Sequence, residues 1–283
     1  MSATPIKGKP LADRLRAEVA EEVKTLGRVG LVTVLVGDDP ASEVYIRLKH
    51  KAATAAGIDA TDVRLPADTT EADLLARVSE LNGSDDVDAI LVQLPLPSQI
   101  DEEKVIRAVA PAKDVDGFHP LNAGELYLGR PAIVSATPRG IMALLAEHRI
   151  ELDGARAVVI GRSDIVGKPI AHLLLQANAT VTLCHSHTQD LARHTLDADV
   201  LVVAVGVPAL VTADMVKERA VVVDVGMNRT DAGLVGDVDP AAAELASAMT
   251  PVPGGVGPMT IACLLQNAVV CARYRTGALV YPG

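Results

Sequence analysis

The stretch VVIGRSDIVGKP, Val158 to Pro169, decides the fold. Three β-branched residues lead into Gly161, then Arg162 and Ser163 follow. Pro169 stands near the first turn of a helix predicted over 168–176. Strand, glycine turn and helix form the junction at which an open α/β sheet holds a phosphate on helix N-terminal amides. The spacing Gly161, Ser163, Gly167 is not G-x-G-x-x-G, so the usual dinucleotide fingerprint is absent. A purely structural turn fits this stretch as well, and the next strand sharpens the choice.

That strand, TVTLCHS, ends in Cys184, His185, Ser186 and His187. An NAD site offers a carboxylate there to the ribose hydroxyls; the nearest one here is Asp190. Arg162, Ser163 and Ser186 can converge on an anion instead. A 2′-phosphate suits them, because Arg supplies paired charged donors and Ser a neutral one. This favours NADP over NAD. The competing reading makes Arg162 a solvated loop residue and the Ser and His residues helix caps. Further on, VAVGVP, VVDVGMNR and GLVGDVDP place Gly206, Gly226 and Gly236 at strand ends. Bare backbone there lets a flat cofactor approach closely, though each glycine is also readable as a turn.

Working outward, DVLVVAVG and AVVVDVG are further strands, and Pro258 starts a last helix after the loop PVPGGVGP. Upstream, helices over 11–26, 41–56, 70–81 and 102–109 alternate with strands at GLVTVLVG, 61–65 and DAILVQLPLP; residues 140–148 form a connecting helix. From Pro111 to Pro138 turn residues prevail without a period, and the domain junction is placed there. The expected fold class is α/β, with two α/β domains and a cleft between them. One domain covers 1–138 plus 258–283. The other, over 139–257, is a Rossmann-like parallel sheet.

Hydrophobic residues make up 49% of the 283, but aromatics only 2%, so the core must be Ala, Val, Leu and Ile. The formal net charge of −10 argues against a general nucleic-acid binder. The three Cys fit no zinc pattern, and no clustered ligands suggest a metal. The start MSATPIKGKP lacks the apolar core of a signal peptide, and the apolar run from Val200 is too short to span a membrane. A reduced, cytoplasmic chain with no membrane partner is expected.

A helical wheel of residues 41–56 puts Val44, Leu48, Ala52 and Ala55 on the apolar stripe, with Arg47 and His50 toward water. Tyr45 and Lys49 share the flank, one turn apart. A partly desolvated Lys has a lowered pKa and can pass protons near neutrality. Alternatively, Lys49 snorkels and its stem covers the core. The KDVDG stretch reads as an Asp-Gly turn around Asp114 and Asp116.

Together, VGDDPASEVYIRLKHKAATAAGI, VQLPLP, KDVDGFHPLNAGEL, TPRGIMALL, GRSDIVGKP, TVTLCHSHT and PVPGGVGPMT resemble the FolD family. These are bifunctional methylenetetrahydrofolate dehydrogenases and methenyltetrahydrofolate cyclohydrolases. The resemblance runs from about Gly37 to Ala272, with the motifs in order. It implies that Lys49 is the catalytic lysine, with Tyr45 beside it, Ser42 one turn earlier, and Gln93 positioning the amine. It implies that Asp116 holds the pterin ring, with Pro95, Gly254, Gly255 and Pro258 on the substrate side. On the cofactor side it places Gly161, Arg162, Ser163, Ser186, Thr137, Gly206 and Gly226, with Arg162, Ser163 and Ser186 on the NADP adenosine phosphate. Many members carry Cys where this chain has Ala136. The resemblance further implies a homodimer acting in one-carbon metabolism and purine biosynthesis on tetrahydrofolate derivatives, polyglutamylated or not. The alternatives are another Rossmann dehydrogenase, a dehydrogenase without the cyclohydrolase, and a non-catalytic nucleotide sensor.

Overall fold

The computed structural model describes residues 3–37, 40–231 and 233–282, the side chains of 40–45 aside. In chain order the elements begin with β1 (Thr4–Pro5), α1 (Lys9–Leu26), β2 (Gly30–Val36), α2 (Pro40–Ala55), β3 (Asp59–Leu65), α3 (Glu71–Gly83), β4 (Ala89–Val92), α4 (Glu102–Ala108) and α5 (Pro120–Tyr127). After α6 (Ala136–Glu147) come β5 (Arg156–Ile160), α7 (Gly167–Gln176), β6 (Thr180–Cys184), α8 (Leu191–Thr195), β7 (Val200–Val203), β8 (Val221–Asp224), β9 (Asn228–Thr230), β10 (Gly233–Val235), β11 (Ala248–Met249) and α9 (Val256–Arg275). The chain divides into two compact units, one of Arg14–Ala136 with Ile261–Gly283, the other of Met1–Asp13 with Thr137–Thr260.

The first unit is built on a three-stranded parallel sheet, ordered β3-β2-β4. Every residue of β2 is buried, as a central strand covered on both faces requires. Val34, Leu74, Val78, Ile90 and Val105 pack together on one side of it. The Asp88 carboxylate, fully buried just before β4, accepts the Gly30 N–H at 2.7 Å and pairs with Arg275 at the end of α9. A single charge thus ties β2 to the last helix.

α9 is long and apolar enough to cross a bilayer. In the structure it is a core helix: Ala262, Leu264, Leu265, Ala268 and Val269 are buried. Buried Asn267 donates to the Val115 and Val134 carbonyls at 2.9 and 2.8 Å. The helix starts at Val256, two residues before the expected Pro258.

The second unit carries a six-stranded parallel sheet, ordered β1-β11-β8-β7-β5-β6. From β5 the chain moves to β6 on one side and then to β7 on the other. The C-terminal end of β5, at Gly161, is therefore the switch point at which open α/β sheets take their ligands.

Two expectations need correction. Residues 3–13 group with the six-stranded sheet, where Thr4 and Pro5 pair with Ala248 and Met249. Such a two-residue strand has no legible period. The span 111–138, read as irregular, contains α5, entered at Pro120 and capped by His119, whose Nδ1 accepts the Leu121 N–H at 3.1 Å. At eight residues, α5 is too short for its buried face to stand out.

Candidate active site

Among the described side chains of α2, Ile46, Lys49 and Ala53 are buried, as is Ala56 just past its end, whereas Leu48 is 49% exposed. The stripe is rotated from the expected one, and Lys49 lies within the buried face rather than on its flank. A wheel weighs apolarity alone and cannot see a lysine being buried on purpose. His50 does not face open water either: its Nε2 lies 3.0 Å from Asp62 Oδ1 and 3.1 Å from Thr33 Oγ1. The side chains of Ser42 and Tyr45 lie outside the described residues.

Lys49 is only 9% exposed, and its Nζ donates to Gln93 Oε1 at 3.3 Å. Gln93 follows β4, so the strand fixes its backbone, with its N–H on the Val34 carbonyl at 2.9 Å. Its own Nε2 donates to the Leu94 carbonyl at 2.6 Å, which turns the carboxamide oxygen toward the lysine. Gln93 thereby orients the amine without adding negative charge. Burial lowers the Lys49 pKa below its usual 10.5, and the opposing pull of Asp116 is the weaker influence. Pro95, joined to Leu94 by a cis peptide bond, is exposed.

Asp114 and Asp116, two residues apart, do different work. The buried Asp114 carboxylate accepts the Gly117 and His119 N–H groups at 3.1 and 2.7 Å and the Asn122 amide at 2.9 Å. It builds the turn that the sequence suggested. Asp116 interacts electrostatically with Lys49. Desolvation of its carboxyl, against the pull of Lys49, pushes its pKa up to about 6. A buried amine and a desolvated carboxyl that is not tied into the turn make a site able to hold and move protons.

In the other unit Gly161 ends β5, and Arg162, Ser163 and Ser186 are exposed beside the ends of the paired strands β5 and β6. Ser163 Oγ accepts the Val166 and Gly167 N–H groups at 3.2 and 3.3 Å, so it caps the start of α7. The hydroxyl proton remains for an anion. Arg162 makes no ion pair among the described residues, and Asp190 caps α8 without a side-chain bond. This donor set, one guanidinium and two hydroxyls with no carboxylate at the end of β6, fits a phosphate-bearing dinucleotide. Thr137 is partly buried, its Oγ1 2.9 Å from Thr260 Oγ1.

The glycines divide by cause. Gly254 has φ +111° and open space where a side chain would stand, so its backbone is bare on that side. Gly255 is closed in by Thr250 and Pro251, and Pro258 lies in the first turn of α9. Gly206, at φ +68°, is exposed. The expectation for Gly226 and Gly236 needs revision: a Cβ at Gly226 would strike Asp237, and one at Gly236 would strike the Asp224 carboxylate. They are bare because buried carboxylates press on them. Asp224 and Asp237 were missed in the sequence, where the signal was Asp recurring beside Gly in VVDVG and VGDVD.

Residues 6–116 match the description "Tetrahydrofolate dehydrogenase/cyclohydrolase, catalytic domain", and residues 135–276 match "Tetrahydrofolate dehydrogenase/cyclohydrolase, NAD(P)-binding domain". The chain belongs to this family. It is 57% identical over 278 residues to a protein of Acidiphilium cryptum named Bifunctional protein FolD, covering 97% of this chain and 100% of that one. The bifunctional enzyme FolD of Campylobacter jejuni superposes with a TM-score of 0.95 at 45% identity, covering 97% of this chain and 100% of that one. The Trypanosoma brucei dehydrogenase-cyclohydrolase, solved with NADP cofactor and an inhibitor, gives 0.92 at 40%, covering 98% and 99%. Within the family's division, Lys49 and Gln93 fall in the catalytic domain and Asp116 at its last matched residue. Gly161, Arg162, Ser163 and Ser186 fall in the NAD(P)-binding domain.

Proposed function

We propose that this chain oxidises 5,10-methylenetetrahydrofolate to 5,10-methenyltetrahydrofolate with NADP, and then hydrolyses the product to 10-formyltetrahydrofolate. The observation that carries the reading is the buried Lys49 amine, oriented by Gln93 and opposed by the Asp116 carboxyl.

The oxidation removes a hydride from the one-carbon bridge, and the cation left behind is stabilised by the two flanking folate nitrogens. NADP, when bound, supplies the hydride acceptor. No proton leaves in that step, so the protein's task is to hold and align its ligands. Arg162, Ser163 and Ser186 hold the adenosine 2′-phosphate. Asp116 accepts N–H bonds from the pterin edge in its ionised form. The resemblance assigns Pro95, Gly254, Gly255 and Pro258 to folate binding. Thr137, Gly161 and Gly206 line the cofactor side.

The hydrolysis adds water to the cation and opens the ring, which requires proton transfer. Lys49 is the acid/base group, with Tyr45 and Ser42 on the same helix. Its lowered pKa leaves more neutral amine near pH 7 than an exposed lysine has, and the cationic substrate lowers it further.

The same reading makes the chain a cytoplasmic homodimer that supplies formyl groups for purine biosynthesis from tetrahydrofolates, polyglutamylated or not. Three buried cysteines that form no disulfide among the described residues support a reducing compartment; the dimer rests on the resemblance. A spectrophotometric assay of both activities, with NADP and NAD compared, tests the proposal. Turnover of both substrates with preference for NADP is expected. Inactivity on methylenetetrahydrofolate would point to another dehydrogenase or a nucleotide sensor.

A further inference from the structure

We infer that Asp237 is a positioning residue for the cofactor side of the reaction; its role in turnover rests on the function proposed above. Asp237 lies between β10 and β11 and is fully buried. Its Oδ2 accepts the N–H groups of Val205 and Gly206, at 2.7 and 2.9 Å, from the loop after β7. Its Oδ1 accepts the Asn228 amide at 2.8 Å, from the segment after β8. Its own N–H and that of Gly226 both donate to Asp224 Oδ1 at 2.9 Å, and the Val238 N–H donates to Asp224 Oδ2 at 3.0 Å. The Asp224 N–H donates to Thr250 Oγ1, just past β11, at 2.8 Å.

Two carboxylates therefore tie together the loops that leave the adjacent parallel strands β7 and β8, and the Asp224 main chain joins Thr250, past the neighbouring β11, to them. Those loops lie at the C-terminal edge of the sheet, where such sheets take ligands. The tie reaches the switch point. The Ala204 carbonyl, next to Val205, lies against Gly161, where a Cβ would strike it. Displacing the Val205–Gly206 backbone thus displaces the wall of the Gly161 turn. Three donors converge on Asp237, and only a group with acceptors on both terminal atoms satisfies all of them without rearrangement. The glycines at 226 and 236 keep the carboxylates in place.

The test measures NADP binding by calorimetry and both activities in wild type and Asp237→Ala, alongside thermal melting. Cyclohydrolase activity is assayed on supplied methenyl substrate without NADP. Expected are a rise of about tenfold or more in Kd and KM for NADP, a smaller change in dehydrogenase kcat, and cyclohydrolase activity kept within about twofold. Should Asp237→Ala not fold, Asp237→Asn is compared with the double variant Asp237→Asn, Asn228→Asp, which restores the carboxylate–amide pair in reverse order. The double variant is then expected to recover NADP affinity that the single one loses. Unchanged NADP affinity in a folded variant overturns the inference, as does a loss of both activities in proportion. A wild-type chain that binds NADP but turns over neither substrate counts against the proposed function instead, and the calorimetry still judges Asp237.

Discussion

Lys49 lies on the buried face of α2, with the Gln93 carboxamide orienting its amine and a desolvated carboxyl nearby. Arg162, Ser163 and Ser186 stand exposed at the ends of two strands in the other unit. On the proposed function, desolvation suits the first set to proton transfer, because burial is what shifts a pKa. On the same proposal, exposure suits the second set to recognising charge, which needs donors in place but no altered protonation. Changes in the first should therefore alter rates and pH profiles, and changes in the second should alter affinity for one ligand.

The largest effect is expected from Lys49→Ala. Hydrolysis of the methenyl substrate should fall by about 10²–10⁴-fold while part of the hydride transfer survives. A variant that hydrolyses at the wild-type rate breaks the contrast. Next, Asp116→Ala should raise KM for methylenetetrahydrofolate by roughly 10–100-fold, the loss of a charge-assisted bidentate contact, with KM for NADP nearly unchanged. For the same reason folate binding should weaken as pH falls through about 6, where Asp116 takes up its proton. A flat KM between pH 5 and about 7, in the range set by carboxyl titration, would count against its role.

Arg162→Ala is a smaller change. KM for NADP should rise about tenfold, and that for NAD hardly at all, because only NADP carries the 2′-phosphate. Equal effects on both cofactors would remove the phosphate assignment.

The smallest effect sharpens the comparison through stability. The carboxyl of Asp116 has a folded-state pKa of about 6 against an ordinary 3.8. The folded state then binds more protons than the unfolded state between those values, so ionisation costs stability as pH rises through that window and the cost persists above it. Asp116→Asn should stabilise the ligand-free protein at neutral pH by about 1–3 kcal/mol, measured by urea unfolding. No gain would mean that the carboxyl is better solvated than the structure shows.

Much of this was legible in the sequence because strands buried on both faces read as continuous apolar runs. GLVTVLV and AVVVDVG announced themselves, and the Gly161 turn marked the switch point. The candidate residues Lys49, Gln93 and Asp116 were also named there, but on resemblance. Chain periodicity alone put Lys49 on a flank and His50 in water. What escaped were features set by distant partners. β1 is defined only by its pairing with β11, and the buried face of α2 is decided by what covers it. Asp224 and Asp237 gain meaning only when the loops after three strands come together.

The central claim is that burial lowers the Lys49 pKa and so suits its amine to proton transfer. It is tested most directly by NMR titration of the protein with ¹³C-labelled lysine side chains, the Lys49 signal being assigned by its loss in Lys49→Arg. The account predicts a titration midpoint below the usual 10.5, moving lower still in Asp116→Asn as the opposing charge is removed. A Lys49 signal that titrates together with the exposed lysines, unaffected by Asp116, would contradict it.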